Sequence, residues 1–141
     1  MKKLVILLLL LFLCGCSAIQ VRELFLGMSA EDVEKAEKKY AKTFDLDAAY
    51  CYEKALEAVG GMKAHAIRQK PEKYFIVANK FDKAYTLCVD TTALGILIVP
   101  LEDNKSSIEV ASGNYGLAEF VSENIFGKLE EREKPSKEGT P

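Results

Sequence analysis

The stretch Leu94-Gly95-Ile96-Leu97-Ile98-Val99 is the most informative part of the sequence for the fold, because it is almost continuously apolar. A strand with one face in water alternates apolar and polar residues, whereas an unbroken apolar run predicts a strand that is buried on both faces. Apolar residues alternate at Leu87 and Val89 just upstream, so we predict one strand over residues 85–99.

The segments around this strand predict two or three further antiparallel strands. Glu102-Asp103-Asn104-Lys105 predicts a hairpin turn, and Ile108 and Val110 alternate with polar residues in the following strand, 106–112. Upstream, Tyr74-Phe75-Ile76-Val77 is a dense apolar strand, and residues 62–69 form a weaker one. The whole sheet is therefore expected to have three or four strands.

Helical periodicity marks three other segments. Ser29 and Asp32 form a capping pattern before a helix predicted over residues 30–42, whose end is alternatively a short strand over 40–44. A second helix is expected from Ala48 until Gly60-Gly61, and a third begins near Asn114.

The order helix, helix, strands, helix predicts the architecture. Because the helices bracket an antiparallel meander, we expect a two-layer α+β domain with the helices packed on one face of the sheet. Composition changes at residue 130, after which charged residues, Pro and Gly dominate. We predict one domain over residues 29–129 and a disordered tail over 130–141.

The N-terminus predicts export. Lys2 and Lys3 precede an apolar run of eleven residues, Leu4–Cys14. As a helix this run is about 17 Å long, too short for a hydrocarbon layer of about 30 Å, and it is typical of a signal peptide. The run ends in Leu13-Cys14-Gly15-Cys16, which resembles the lipobox of bacterial lipoproteins.

The resemblance to bacterial lipoproteins implies a membrane anchor at Cys16. A lipoprotein signal peptidase would remove residues 1–15, and Cys16 would carry a diacylglycerol thioether and an acylated amino group. Two or three acyl chains hold a protein on a membrane without spanning it. Residues 16–28 would then be the lipidated N-terminus and a tether. The alternatives are a plain secretory signal with two incidental cysteines and an uncleaved membrane anchor.

The residue after the lipidated cysteine bears on the location. Ser17 in that position is typical of lipoproteins that are sorted to the outer membrane, so the resemblance implies an outer-membrane protein that faces the periplasm. In a Gram-positive source the same features imply the outer leaflet of the plasma membrane.

Net charge argues against nucleic acid as a partner. The 141 residues include 19 basic and 21 acidic ones, and loss of Lys2 and Lys3 with the signal leaves 17 basic residues and a net charge near −4. Phosphate binding needs a basic surface. The expected partners are the membrane, through the acyl chains, and a protein of the cell envelope.

The part of the chain after the tether has a second, looser resemblance. It is similar to a group of small bacterial lipoproteins to which no activity is assigned. The similar features are Phe44-Asp45-Leu46 before a helix that holds Cys51, Cys88-Val89-Asp90-Thr91-Thr92 in a strand, and the closing Ile125-Phe126-Gly127-Lys128-Leu129. This resemblance supports the fold prediction and implies no activity.

Two cysteines, Cys51 and Cys88, remain after export and lipidation. Thiols in an oxidising compartment often pair, so a disulfide between them is one expectation. A free, buried Cys51 is the alternative, because a regular strand would place Cys88 on the face opposite Leu87 and Val89. The polar run Asp90, Thr91, Thr92 is a candidate contact site, or simply a strand break.

The chain shows no pattern typical of an enzyme, a metal site or a cofactor site. The single His65 has no catalytic partner in a known arrangement, and Asp45 and Asp47 are explained by helix capping. We therefore expect a non-enzymatic envelope lipoprotein that acts through protein contacts. The alternative is a binding module for a lipid or another small hydrophobic ligand, because residues 74–77 are apolar on both faces and helices on one side would leave the other open.

Overall fold

The computed structural model describes residues 28–81 and 93–133, and these form one α+β unit. In chain order the elements are helix α1 (Ala30–Glu34), strand β1 (Tyr40–Phe44), helix α2 (Ala48–Gly61), strands β2 (His65–Lys70), β3 (Phe75–Asn79), β4 (Leu94–Pro100) and β5 (Ser106–Ser112), and helix α3 (Tyr115–Glu133). A 3₁₀ turn, Pro71–Lys73, connects β2 to β3.

The strands form one sheet in the order β1-β5-β4-β3-β2, and every neighbouring pair is antiparallel. Strand β4, which contains the apolar run, is the central strand. Its side chains alternate between the two faces, and Ile96 is fully buried on one face while Leu97 is 9% exposed on the other. The predicted burial on both faces is confirmed for β4, while residues 85–92 of the predicted strand lie outside the described residues.

Helices α2 and α3 cover one face of the sheet, as predicted. Their apolar sides enclose the main core with the inward side chains of all five strands. The largest side chains of that core are fully buried, among them Phe44, Ile96, Ile98, Leu117 and Ile125. The α+β class is confirmed, with five strands in place of the expected three or four.

The extra strand comes from the end of the predicted first helix. Helix α1 ends at Glu34 rather than near residue 42, and Tyr40–Phe44 pairs with β5 from Tyr40↔Val110 to Phe44↔Ser106. The prediction of a helix over 30–42 is therefore wrong, and the alternative of a short strand is confirmed. The pairing places the Phe44 side chain in the main core, where it stabilises the strand more than helix propensity favours a longer helix.

Helix α1 lies on the second face of the sheet, opposite α2 and α3. Val33 packs there in a second core with Phe75, Val77, Leu97 and Ala111, and Met28 lies beside it. A Cβ atom on Gly95 would be 2.8 Å from the Sδ atom of Met28 and closer still to Val33. Glycine at this position of β4 therefore lets α1 approach the sheet, and Met28 belongs to the folded domain rather than to the tether.

The C-terminal helix is longer than composition predicts. Helix α3 continues to Glu133, four residues past the predicted boundary of the domain. Its last turn is held by an ion pair of Lys42 with Glu130, by the backbone N–H of Asp45, which donates to the Glu133 carboxylate at 2.6 Å, and by stacking of Arg132 on Tyr50 at 4.8 Å. The prediction of a disordered tail is wrong for residues 130–133, because these charged side chains bind the domain.

Candidate functional site

Strand β2 is an edge strand of the described sheet, and the residues around it combine an exposed apolar side chain with several basic ones. It pairs with β3 from His65↔Asn79 to Lys70↔Phe75, and its other side has no strand among the described residues. We call residues 63–73, which comprise β2 and the 3₁₀ turn, the β2 edge. The sequence of β2 lacks a clear alternation of apolar and polar residues. This follows from its position, because an edge strand whose residues are all exposed or half-buried does not need such an alternation.

An irregularity in β2 exposes one large apolar side chain. The register shifts between Ala66 and Arg68, so Ile67 is the extra residue of a β-bulge. The Ile67 side chain is 53% exposed, the highest value for a large apolar residue in the described part of the chain.

Basic residues flank Ile67 along the β2 edge. Arg68 lies opposite Val77 and Lys70 lies opposite Phe75. Directly paired residues of antiparallel strands project from the same face, so both cations lie on the second face, which also carries Met28 and Val33. Arg68 and Lys70 are half-buried, whereas Lys63, His65 and Lys73 are exposed.

The end of the β2 edge is fixed by Tyr74. This residue has a left-handed backbone, φ 48° and ψ 45°, and its carbonyl accepts a hydrogen bond from the Ile98 N–H at 3.0 Å. Its ring meets the ring of Tyr52 edge to face, with 6.1 Å between centroids. Burial, and then the negative charge of Glu72, raises the pKa of Tyr52, so this phenol stays neutral.

Cys51, one partner of the predicted disulfide, lies in the main core. Its side chain is fully buried, and it forms no disulfide with any of the described residues. Burial raises the pKa of Cys51 to about 11, and a hydrogen bond with Ser106 opposes that effect in part. The Ser106 hydroxyl donates to the Leu46 carbonyl at 2.8 Å. The thiol is thus protonated and shielded at neutral pH, as expected of a packing residue rather than a nucleophile.

Several predicted site residues lie outside the described residues. These are the lipidation site Cys16, the second cysteine Cys88, and the polar run Asp90, Thr91 and Thr92. The disulfide, the anchor and the polar contact site therefore stay predictions.

The aspartates near α2 have structural roles. Asp47 caps the helix, and its carboxylate accepts a hydrogen bond from the Tyr50 N–H at 2.9 Å. Asp45 instead forms an exposed ion pair with Lys105 at 3.3 Å. In residues 28–81 and 93–133 there is no cluster of three or more side chains that could ligate a metal ion.

No known protein family and no curated protein matches this chain. None of the helices in the described residues has both the length and the apolar content to cross a bilayer.

The β2 edge is the site that sequence reasoning missed. The pattern of residues 62–69 predicts only a weak strand. The informative signal was a single large apolar residue among cations, which a buried strand would not tolerate.

Proposed function

We propose that this chain is a membrane-anchored periplasmic lipoprotein without enzymatic activity, whose domain acts through protein contacts at the cell envelope. The lipobox-like Leu13-Cys14-Gly15-Cys16 supports the anchor. The proposal that the domain acts through protein contacts is supported by one observation: helices cover both faces of the central strand β4. On one side lie α2 and α3, and on the other lies α1.

A filled interior favours action at the surface. A site for an acyl chain or another hydrophobic ligand needs an apolar cavity between sheet and helices. In the described residues that layer is occupied by fully buried side chains such as Ile96, Leu117 and Ile125. Helices on one side of the sheet alone would leave the second face of residues 74–77 open to a ligand. In the structure Phe75 and Val77 of that face are covered, and each is 1% exposed. The alternative of a hydrophobic-ligand module draws no support from these residues.

The position of Met28 keeps the domain close to the membrane. Met28 lies against Gly95 in the middle of the sheet, so the tether ends there. Eleven residues lie between Cys16 and Met28, so the two residues are twelve steps apart along the chain, and a fully extended chain of twelve steps spans about 40 Å at most. A domain on such a tether contacts partners in or near the membrane that holds its acyl chains. Ser17 after the lipidated cysteine favours the periplasmic face of the outer membrane.

The anchor is tested by metabolic labelling with a fatty acid in a bacterial host. We expect a Cys16→Ser variant to lose the label and to leave the membrane fraction, while Cys14→Ser, which changes the neighbouring cysteine within the signal, keeps both. Label retained by the Cys16→Ser variant would refute the anchor.

The mode of action is tested with the anchored protein in its envelope. Photo-crosslinkers placed one at a time at exposed positions of α2, α3 and β1 should give a discrete adduct with one envelope protein from a contiguous patch of positions. The adduct should disappear when charged residues in that patch are reversed. Adducts with lipid alone from every position would contradict action through protein contacts.

A further inference from the structure

The charges of the described residues are separated in space. Residues 28–81 and 93–133 include 13 basic and 17 acidic residues, of which four basic and one acidic lie in the β2 edge, which leaves 9 basic and 16 acidic in the rest. Counted formally, the edge therefore carries a net charge of +3 and the described remainder −7. Because the edge forms one border of the sheet, the domain is an electric dipole whose positive end is β2.

The β2 edge is poorly suited to pairing with a β-strand of another protein. The β-bulge at Ile67 interrupts the row of backbone groups, Pro71 follows directly, and cations line the strand. Each of these features prevents pairing with another strand. A second copy would bring Arg68 and Lys70 against the same residues of its partner, and residues 134–141 of this chain carry two lysines and one glutamate.

We infer that the β2 edge rests on the anionic phospholipid headgroups of the membrane that holds the acyl chains of Cys16. This inference rests on the proposed lipid anchor. Each Lys or Arg close to an anionic surface contributes about 1 kcal/mol, a factor of about five in occupancy. The acidic remainder is repelled by the same surface, so attraction and repulsion turn the domain in the same direction.

The arrangement of the domain is compatible with this orientation. The exposed Ile67 side chain belongs to the same edge as these cations, and we place it in the headgroup layer, where an apolar side chain beside Lys and Arg is favoured. The acidic residues Glu31, Asp32 and Glu34 of α1 lie over β4 and β5. Those strands are two and three places from β2, or about 10–14 Å at 4.8 Å per strand, which is beyond a Debye length of about 8 Å.

The orientation leaves the helical layer accessible. With β2 at the membrane, β1 is the distal edge of the sheet and the outer surfaces of α2 and α3 face the aqueous compartment. In this orientation a protein partner contacts α2, α3 or β1.

Lysine footprinting of the lipidated protein tests the inference. The protein is incorporated into preformed vesicles of phosphatidylcholine alone, or of phosphatidylcholine and phosphatidylglycerol in equal parts. Floated vesicles are treated with a membrane-impermeant acetylating reagent, and the rate at each lysine is read by mass spectrometry. We expect Lys63 and Lys73 to react about fivefold more slowly on the anionic vesicles. Lys42 on β1 and Lys128 on α3 should react equally on both.

Two further conditions sharpen the test. High salt screens the surface and should abolish the protection in the unchanged protein. The double variant Lys63→Glu, Lys73→Glu should lose the slower reaction of Lys70, whereas the matched variant Lys35→Glu, Lys38→Glu should retain it. All four substituted lysines are exposed, and circular dichroism checks the fold.

The alternative outcomes are distinct. A protein that floats with neither kind of vesicle disproves the anchor, and the orientation that depends on the anchor is overturned with it. Equal reactivity on both vesicles, or protection by neutral lipid alone, overturns the orientation. Protection of Lys63 and Lys73 in isolated cell envelopes but not on anionic vesicles also overturns it and assigns the edge to a protein partner.

Discussion

The Val33 side chain of α1 lies directly against the backbone of Gly95 in the central strand, so the smallest residue of β4 marks the place where the second layer meets the sheet. A methyl group at this position would overlap Val33 and Met28. We therefore expect Gly95→Ala to lower the free energy of unfolding by about 1–3 kcal/mol, as overpacking of a core does.

The measurement is urea unfolding followed by circular dichroism, and Gly127→Ala is the matched control. Gly127 lies within α3, and a Cβ there would meet nothing within 4 Å. Alanine in a helix is favoured over glycine by about 1 kcal/mol, so the control should stabilise the protein. Opposite signs for the two substitutions are required, and an unchanged stability of Gly95→Ala would disprove the close packing of α1.

The elements with strong periodicity could be predicted from the sequence. The elements whose structure depends on tertiary contacts could not. The apolar run of β4 and the stripe of α2 were sufficient to identify a buried strand and a helix. Tyr40–Phe44 became a strand because its pairing with β5 buries Phe44, a contact that local pattern does not contain. In the same way, Glu130 and Glu133 have the composition of a tail and are ordered by Lys42 and the backbone of Asp45.

The candidate site was less predictable than the fold. The lipobox-like motif is local, so the sequence is enough to predict an anchor at Cys16. The charge separation needs the strand order, because only the sheet shows that the basic residues 63–73 form a border and that α1 lies two strands away from it. The net charge of the sequence alone shows only that the protein is acidic.

Capping of α2 by Asp47 gives the second prediction. The Asp47 carboxylate accepts from the Tyr50 N–H, while Asp45 lies two residues earlier and forms only an exposed ion pair. We expect Asp47→Ala to lower the free energy of unfolding by about 1 kcal/mol and Asp45→Ala by less than about 0.5 kcal/mol. Thermal unfolding of the two variants in parallel checks this, and equal losses would mean that the cap contributes nothing of its own.

Thiol accessibility gives the third prediction. Cys51 is fully buried in the main core, where its thiol forms a hydrogen bond with Ser106 of β5. A buried thiol with a polar partner in the core is expected to remain free. Alkylation without reductant should therefore modify Cys51 only after unfolding in urea, and modification that requires a reductant would establish the disulfide.

The raised pKa of Cys51 gives the last prediction, a loss of stability in alkaline solution. Burial favours the neutral thiol in the folded protein, with a pKa of about 11 against 9.0 for an ordinary cysteine. The unfolded chain therefore releases this proton first, so the contribution to stability is complete below pH 9 and is lost as the pH rises through 11. We expect the free energy of unfolding to fall over this interval, and Cys51→Ala to make the fall shallower. Tyr52, whose pKa is also raised, accounts for a remaining slope in the variant. Urea unfolding at a series of pH values measures both slopes, and parallel curves for the two proteins would show that the Cys51 thiol ionises equally in the folded and unfolded chains.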